Sequence, residues 1–220
     1  MTLFDIMGPI MVGPSSSHTA GAVRIGQMTR KLLGAQPEKV EILLHGSFAD
    51  TGSGHGTDRA LVAGLLGMQP DNPDIPNAFR LAAEAGMAVS VGTAVLRGAH
   101  PNTVLLTVSA GERTVEVNAS SLGGGRVRIN AIDGLEAAFT GDCPTLIIRN
   151  EDKPGQVAEV TGLLSEQGVN LATMQLYRDR RGGLAVMVIE SDQPIPRDVV
   201  ARLRATPGIV RVVYLNMEEG

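Results

Sequence analysis

A run of three serines followed by a histidine is the densest polar group in this sequence, at Ser15, Ser16, Ser17 and His18. The apolar spacing of residues 19–33 predicts a helix, so the run falls at a helix start. Free backbone N–H groups, the positive end of the helix dipole and three hydroxyls together suit a bound carboxylate or phosphate. Serine is also a favoured N-cap residue, so a structural cap is the alternative, although one serine would be enough for it.

A second polar group follows a short apolar strand predicted over residues 40–44. His45 and Ser47 stand directly after this strand. Histidine is the side chain that most readily moves protons near neutral pH, which makes it a candidate for chemistry. The alternative is that His45 is a structural residue at the end of a strand.

A glycine-rich stretch, residues 51–56, precedes a helix predicted over residues 57–66. We expect this stretch to be a polar loop, in which Gly54 gives access to the backbone and His55 can reach a ligand. The alternative is that its glycines only turn the chain. The Gly123-Gly124 pair predicts a turn that either lets backbone approach a substrate or simply closes a hairpin.

The sequence predicts no metal site and no cofactor site held by this chain alone. Cys143 is its only cysteine, which excludes an internal disulfide and an iron–sulfur cluster held by several thiolates of this chain. The His-x-x-x-His and Cys-x-x-Cys spacings that are typical of zinc sites do not occur. No phosphate-binding or dinucleotide-binding glycine pattern stands between a strand and a helix.

Charge and hydropathy restrict the classes of partner. The chain has 220 residues, with 19 Lys and Arg against 23 Asp and Glu, and its net charge of −4 argues against nucleic acid and anionic membranes. No apolar run approaches the ~20 residues of a membrane span, and residues 2–11 lack the basic start of a signal peptide. We therefore expect a cytoplasmic protein that binds neither a membrane nor nucleic acid.

The sequence changes character near residues 140–144, which suggests two domains, residues 1–140 and 144–220. In the first domain, strands are predicted after the two helices and the short strand. They cover residues 88–97, 103–109, 114–118 and 126–132. This pattern predicts an α+β domain.

The second domain alternates strand and helix signals in the order βαββαβ, which predicts a ferredoxin-like unit. Residues 184–189 are apolar on both faces and should form a central strand, whereas residues 171–178 should lie at a sheet edge. The other strands are predicted over residues 144–149 and 209–215, and the helices begin near Pro154-Gly155 and Pro196. In the first of these helices the apolar residues Val157, Val160, Leu163 and Leu164 fall at helical spacing, and in the second Val199, Val200 and Leu203 are expected to face the core.

The polar motifs of the first domain belong to a longer set of stretches, namely Phe4-Asp5-Ile6, Gly8-Pro9, residues 13–21, His45-Gly46-Ser47, residues 51–58, His100-Pro101-Asn102 and residues 121–125. Together these stretches resemble the beta subunit, or beta domain, of bacterial iron–sulfur L-serine dehydratases. The resemblance covers essentially all of residues 1–140. It implies an α+β domain similar to the allosteric substrate-binding domain of some D-3-phosphoglycerate dehydrogenases.

The resemblance implies the conversion of L-serine to pyruvate and ammonia. A 4Fe-4S cluster on a separate alpha subunit would bind the substrate hydroxyl, so this chain alone should be inactive. The base that removes the α-proton could be His18, His55 or a group of the alpha subunit, and activity on L-threonine stays open. The implied catalytic residues are Ser15, Ser16, Ser17, His18 and His55, and the implied substrate-binding residues are Thr19, His45, Ser47, Gly54, Gly123 and Gly124.

Two stretches of the second domain carry a further pattern, the helix entrance Asn150-Glu151-Asp152-Lys153-Pro154-Gly155 and the strand entrance Gly168-Val169-Asn170-Leu171. By these stretches, residues 144–220 resemble an ACT domain. In ACT domains that bind amino acids, two loops line a site at an interface between domains. We expect self-association through the edge strand, with Asn170 at the start of this strand beside Asn150 and Asp152. The serine-binding ACT domain of D-3-phosphoglycerate dehydrogenase has His where Asn150 stands and Asn where Asp152 stands, so the effector is either an amino acid or a cation. The implied effector-binding residues are Asn150, Asp152, Gly155, Asn170 and Leu171.

Two other functions are compatible with parts of this pattern. A non-catalytic regulatory module that binds an amino acid would need the ACT loops, but not the serine run and the histidines as well. A regulatory fragment of serine biosynthesis would be expected beside a nicotinamide-binding domain, and the sequence has none.

Overall fold

The computed structural model describes residues 10–13 and 15–217, and for residues 52 and 53 it describes the backbone alone. Three parts of the stretches that carry the resemblance therefore lie outside the described residues, namely Phe4-Asp5-Ile6, Gly8-Pro9 and Pro14. The chain divides into two compact units, residues 1–134 and 135–220.

The first unit combines helices with a mixed sheet. Within this unit the sheet has the order β2-β1-β3-β4-β5, in which β1 and β2 are parallel and the other neighbours are antiparallel. A parallel pair needs a long crossover, and the helices between β1 and β2 provide it. The elements are α1 (Ala22–Leu33), β1 (Lys39–Leu44), α2 (Ser47–His55), α3 (Thr57–Leu65), α4 (Ala78–Glu84), β2 (Ala88–Thr93), β3 (Thr103–Ala110), β4 (Arg113–Gly123) and β5 (Arg126–Ile132).

The helix predicted over residues 19–33 is confirmed, and it begins with a π-helical turn, Ser17–Gly21, that runs into α1. The N–H of Gly21 donates to the carbonyl of Ser16 at 2.9 Å, which is the wider π spacing. Single π turns of this kind often occur at functional sites. Here the turn contains His18.

Helices α1 and α3 touch backbone to backbone. A Cβ on Gly26 would lie 2.3 Å from the carbonyl oxygen of Leu61, and a Cβ on Gly64 would lie 2.0 Å from that of Val23. Any side chain larger than hydrogen would force the two helices apart. The two glycines therefore set the distance between α1, which follows the serine run, and α3, which follows α2.

The predicted polar loop over residues 51–56 is wrong, because residues up to His55 belong to helix α2. This helix starts after Gly46, which has a left-handed φ of 54°, and it is held in place by the fully buried ring of Phe48. Tertiary packing of this kind overrides the weak helix propensity of glycine. Gly56, with a φ of 70°, separates α2 from α3.

Besides α2, the sequence did not predict α4 or a short strand in the second unit, β6 (Leu135–Phe139). The strand predicted over residues 88–97 ends earlier, at Thr93, and the one predicted over residues 114–118 extends to Gly123.

The βαββαβ order of the second unit is confirmed. Its antiparallel sheet has the order β10-β7-β9-β8, so β9 is central and β8 lies at the edge, as expected. Val160, Leu163 and Leu164 are buried in the core, whereas Val157, in the first turn of the helix over Gln156–Glu166, is 38% exposed. The elements are β7 (Thr145–Glu151), α5 (Gln156–Glu166), β8 (Leu171–Arg178), β9 (Leu184–Ser191), α6 (Arg197–Ala205) and β10 (Ile209–Leu215).

The helices that the structure describes include none with the length and apolar character needed to cross a membrane.

Candidate active site

His18 lies at the centre of a polar cluster between the π turn and α2. Its side chain is almost completely buried. Its Nδ1 atom is 3.1 Å from the hydroxyl of Ser15. On the other side of the ring, Nε2 is 3.0 Å from the hydroxyl of Thr51 and 3.5 Å from that of Ser47. Both ring nitrogens thus have polar partners inside the first unit.

Helix α2 brings its residues to this ring at intervals of four. Ser47, Thr51 and His55 are spaced four apart and therefore lie along one face of the helix. The ring of His55 is 5.1 Å from the ring of His18, centre to centre, and the rings of Phe48 and His18 pack edge to face with their centres 5.2 Å apart. His55 is exposed, whereas His18 is covered. The structure therefore joins two histidines that are 37 residues apart in the sequence.

The surroundings of His18 favour its neutral form. Burial lowers the pKa of His18 below its ordinary value, a hydrogen bond to the backbone of Ser47 opposes this, and the nearby His55 lowers the pKa further. A neutral imidazole keeps one nitrogen free to accept a proton. His18 is therefore suited to act as a base near neutral pH.

The glycine turn between β4 and β5 meets the serine run. The N–H of Gly124 donates to the hydroxyl of Ser16 at 3.3 Å, and a Cβ on Gly123 would lie 3.7 Å from the hydroxyl of Ser17. Gly123 and Gly124 both have left-handed backbone, which explains why glycine is used there. The turn and the helix start, which are far apart in the sequence, thus form one polar surface.

A buried hydroxyl lies under this surface. A Cβ on Gly21 would be 2.1 Å from the hydroxyl oxygen of Ser121, so only glycine lets β4 approach the π turn. The Ser121 hydroxyl is buried and has no hydrogen-bond partner in the part of the chain that the structure describes. Sequence reasoning included Ser121 only as part of a motif, since nothing in its type or spacing indicated burial.

The other predicted substrate-binding residues lie outside the hydrogen-bonded cluster. His45 is bound to the segment after β2, because the N–H of Leu96 donates to its Nδ1 at 3.2 Å. Thr19 is buried next to Gly13, and a Cβ added to Gly13 would lie 2.3 Å from the Thr19 hydroxyl. Gly54 lies on an exposed part of α2. Their assignment to substrate binding stays a prediction.

Thr51 is the residue of the cluster that sequence reasoning missed. It belonged to a predicted loop, where its side chain had no defined direction. Only the helical spacing of Ser47, Thr51 and His55 indicates a shared face, and that spacing was hidden by the glycines between them.

The expected effector-binding residues do not meet within one ACT unit. Asn150 and Asp152 lie at the end of β7, near the hairpin between β8 and β9, whereas Asn170 precedes the opposite end of β8. Eight residues of strand separate the two ends, or about 25 Å. The expectation that Asn170 lies beside Asn150 and Asp152 is therefore wrong for a single chain, because β7 and β8 run in the same direction.

Each of these polar residues has a local partner. Asp152 accepts hydrogen bonds from the N–H of Gly182 at 2.9 Å and from Arg178 at 3.2 Å, and these bonds hold the pKa of its carboxyl below the ordinary value. The side-chain amide of Asn170 donates to Asp192. Leu171 packs against the core of the unit, and Gly155 precedes α5 with a φ of 93°.

Asn150 is buried, and only one of the two polar atoms of its side chain has a hydrogen-bond partner among the described residues. Its amide N–H donates to the carbonyl of Glu151 at 2.7 Å, but its Oδ1 has no partner among the described residues. A buried oxygen without a donor costs free energy.

Both units resemble known proteins. Residues 2–93 match the family described as serine dehydratase beta chain, and residues 144–208 match the ACT domain family. The chain is 38% identical over 214 residues to the probable L-serine dehydratase beta chain of Bacillus subtilis strain 168, and the match covers 97% of each protein. It is 35% identical over 216 residues to the L-serine dehydratase beta chain of Peptoniphilus asaccharolyticus, again over 97% of each protein.

The D-3-phosphoglycerate dehydrogenase of Methanocaldococcus jannaschii is a more distant relative. It is 26% identical over 200 residues, which are 89% of this chain and 37% of that enzyme. Fold and comparisons together define an α+β chain with a C-terminal ACT domain, and the predicted fold class is confirmed. Given its match to two beta chains over nearly their whole length, this chain belongs to the serine dehydratase beta chain family.

Proposed function

We propose that this chain is the beta subunit of a two-subunit L-serine dehydratase, which converts L-serine to pyruvate and ammonia. The observation that carries the proposal is the polar cluster around His18. A neutral buried histidine, an exposed second histidine and a serine-rich helix start lie together in the unit that matches the serine dehydratase family.

The partner in this proposal is an alpha subunit that holds a 4Fe-4S cluster. Such a cluster, when bound, supplies a Lewis acid for the departure of the substrate hydroxyl. The residues of this chain do not fit as its ligands, because Cys143 is the only cysteine and no group of three His, Cys, Asp or Glu side chains gathers anywhere in the described residues. We therefore assign the cluster's ligands to the partner and derive no step through it.

The part of this chain in the reaction is to hold the substrate and to move a proton. The serine run presents hydroxyls and the first N–H groups of a helix, which suit the substrate carboxylate. Ser16 and Ser17 are the serines that also border the glycine turn. His18 holds a neutral ring beside Ser15, and the exposed His55 is placed to exchange protons with solvent or with the partner.

We propose a regulatory role for the ACT unit. The antiparallel pairing of β8 with β8 of a second copy would bring Asn170 of one chain toward Asn150 and Asp152 of the other, which a single chain cannot do. The unpaired Oδ1 of Asn150 would then have a partner in the effector, by accepting a hydrogen bond from the ammonium group of an amino acid or by coordinating a cation.

The test is co-expression with a candidate alpha chain under anaerobic conditions, followed by an assay for pyruvate from L-serine, with L-threonine as the second substrate. We expect pyruvate from the complex and a colourless, inactive beta chain when it is purified alone. Brown colour, iron and activity in the isolated chain would refute the two-subunit proposal. A complex that forms without producing pyruvate, together with an isolated chain whose Tm rises with an amino acid, would favour the regulatory module instead.

A further inference from the structure

The hydroxyl of Thr51 has two partners but only one hydrogen. It lies 2.8 Å from the carbonyl oxygen of Ser47, which can only accept, and 3.0 Å from Nε2 of His18. The hydrogen of Thr51 therefore goes to the Ser47 carbonyl. The bond between Thr51 and His18 then requires that Nε2 carry a proton and donate it to the threonine oxygen.

Ser47 places a second oxygen on this side of the ring, since its hydroxyl is 3.5 Å from Nε2. A serine hydroxyl can accept a hydrogen bond as well as donate one, so it is compatible with a proton on Nε2.

The other side of the ring completes the network. The backbone N–H of His18 donates to the hydroxyl oxygen of Ser15 at 3.3 Å, and the same hydroxyl is 3.1 Å from Nδ1. Ser15 can therefore accept from the backbone and donate its own hydrogen to Nδ1. In a neutral ring protonated at Nε2, Nδ1 is the free acceptor, so every donor and acceptor in this chain of bonds is matched.

We propose that Thr51 is a positioning residue that holds His18 in the tautomer protonated at Nε2, so that Nδ1 accepts the hydrogen of Ser15. The basic nitrogen then points to the serine run, where the proposed function places the substrate carboxylate, and away from α2. The role of this tautomer in catalysis rests on the proposed function, but the tautomer itself is a property of the chain. It can therefore be measured without activity.

The first test is NMR of the full-length chain with ¹⁵N-labelled histidine, in which an unprotonated ring nitrogen has a chemical shift distinct from that of an N–H. The resonances of His18 are assigned by their loss in the His18→Gln variant. We expect Nδ1 unprotonated and Nε2 protonated. The opposite pattern would overturn the proposal whatever the enzyme does.

The second test compares Thr51→Val, which keeps the shape but removes the hydroxyl, with Thr51→Ser, which keeps the hydroxyl. In the complex with the alpha subunit, we expect Thr51→Val to lower kcat about 2- to 10-fold with little change in KM, as for the loss of one hydrogen bond that orients a base. Thr51→Ser should restore kcat. In NMR spectra, Thr51→Val should increase the population protonated at Nδ1.

Thermal unfolding of both variants separates misfolding from repositioning. If Thr51→Val folds like the wild type and changes neither the tautomer nor kcat, the proposal is wrong. If the wild-type complex makes no pyruvate but His18 is protonated at Nε2 and Thr51→Val shifts that equilibrium, the dehydratase function fails while the positioning role stands.

Discussion

Replacing Gly64 by Ala should separate two helices that now touch, and the size of the effect follows from one distance. The new methyl would lie 2.0 Å from the carbonyl oxygen of Val23, whereas ordinary contact begins near 3.4 Å. Helices α1 and α3 must therefore move apart locally by about 1.4 Å. The obstacle is backbone, which cannot rotate away as the end of a side chain could.

Two opposing terms determine the change in stability. Alanine favours a helix over glycine by about 1 kcal/mol, whereas overpacking a tight contact costs about 1–3 kcal/mol. Because the clash is with backbone, we take the upper part of that range. The net loss should be about 1–2 kcal/mol, and Tm should fall by about 2–8 °C.

The control is Gly162→Ala in α5, where a Cβ would meet no atom within 4 Å. The helix-propensity gain should act alone there and leave the protein equally or more stable. Urea and thermal unfolding of both variants give the comparison. If Gly64→Ala is as stable as the wild type, the two helices do not depend on this contact and our account of the crossing is wrong.

Three further predictions concern the site and the ACT unit. His18→Ala should lower pyruvate formation by the complex by about 10²–10⁴-fold, the usual loss for a proton-transfer group, and activity within twofold of wild type would exclude that role. Since burial lowers the pKa of His18, protons bind the unfolded state more tightly, so the free energy of unfolding should fall as pH drops below about 6.5. His18→Gln should flatten this dependence between pH 6.5 and 5, and parallel profiles would contradict it. Ala172→Lys, at an exposed position on β8, should weaken self-association in sedimentation of the full chain, and a wild-type chain that stays monomeric at high concentration would rule the interface out.

The periodic spacing of apolar residues predicted most of the fold. The helix of residues 19–33 and all six elements of the βαββαβ unit were predictable, because each buries one regular set of apolar residues or is bounded by proline and glycine. The edge position of β8 followed from the connection order alone. Such local patterns can be interpreted without knowing the tertiary contacts of each element.

Helix α2 could not be predicted because it is stabilised by packing against the rest of the unit and not by the helix propensity of its residues. Two glycines lower its propensity, and only the burial of Phe48 explains why it forms. With the helix missed, the alignment of Thr51 with His18 was missed as well. The separation of Asn150 from Asn170 was also hidden, since their relation depends on strand direction rather than on residue type.

Because the residues of the site are regularly spaced on α2, an insertion or deletion in this helix affects the site more than a single substitution does. Ser47, Thr51 and His55 reach one ring because they are four residues apart, and each residue turns a helix by about 100°. One residue inserted between Thr51 and His55 would rotate His55 to another side of the helix while leaving Thr51 in place. A single substitution on α2 removes one contact of the site, whereas the gain or loss of one residue between Thr51 and His55 separates the two histidines.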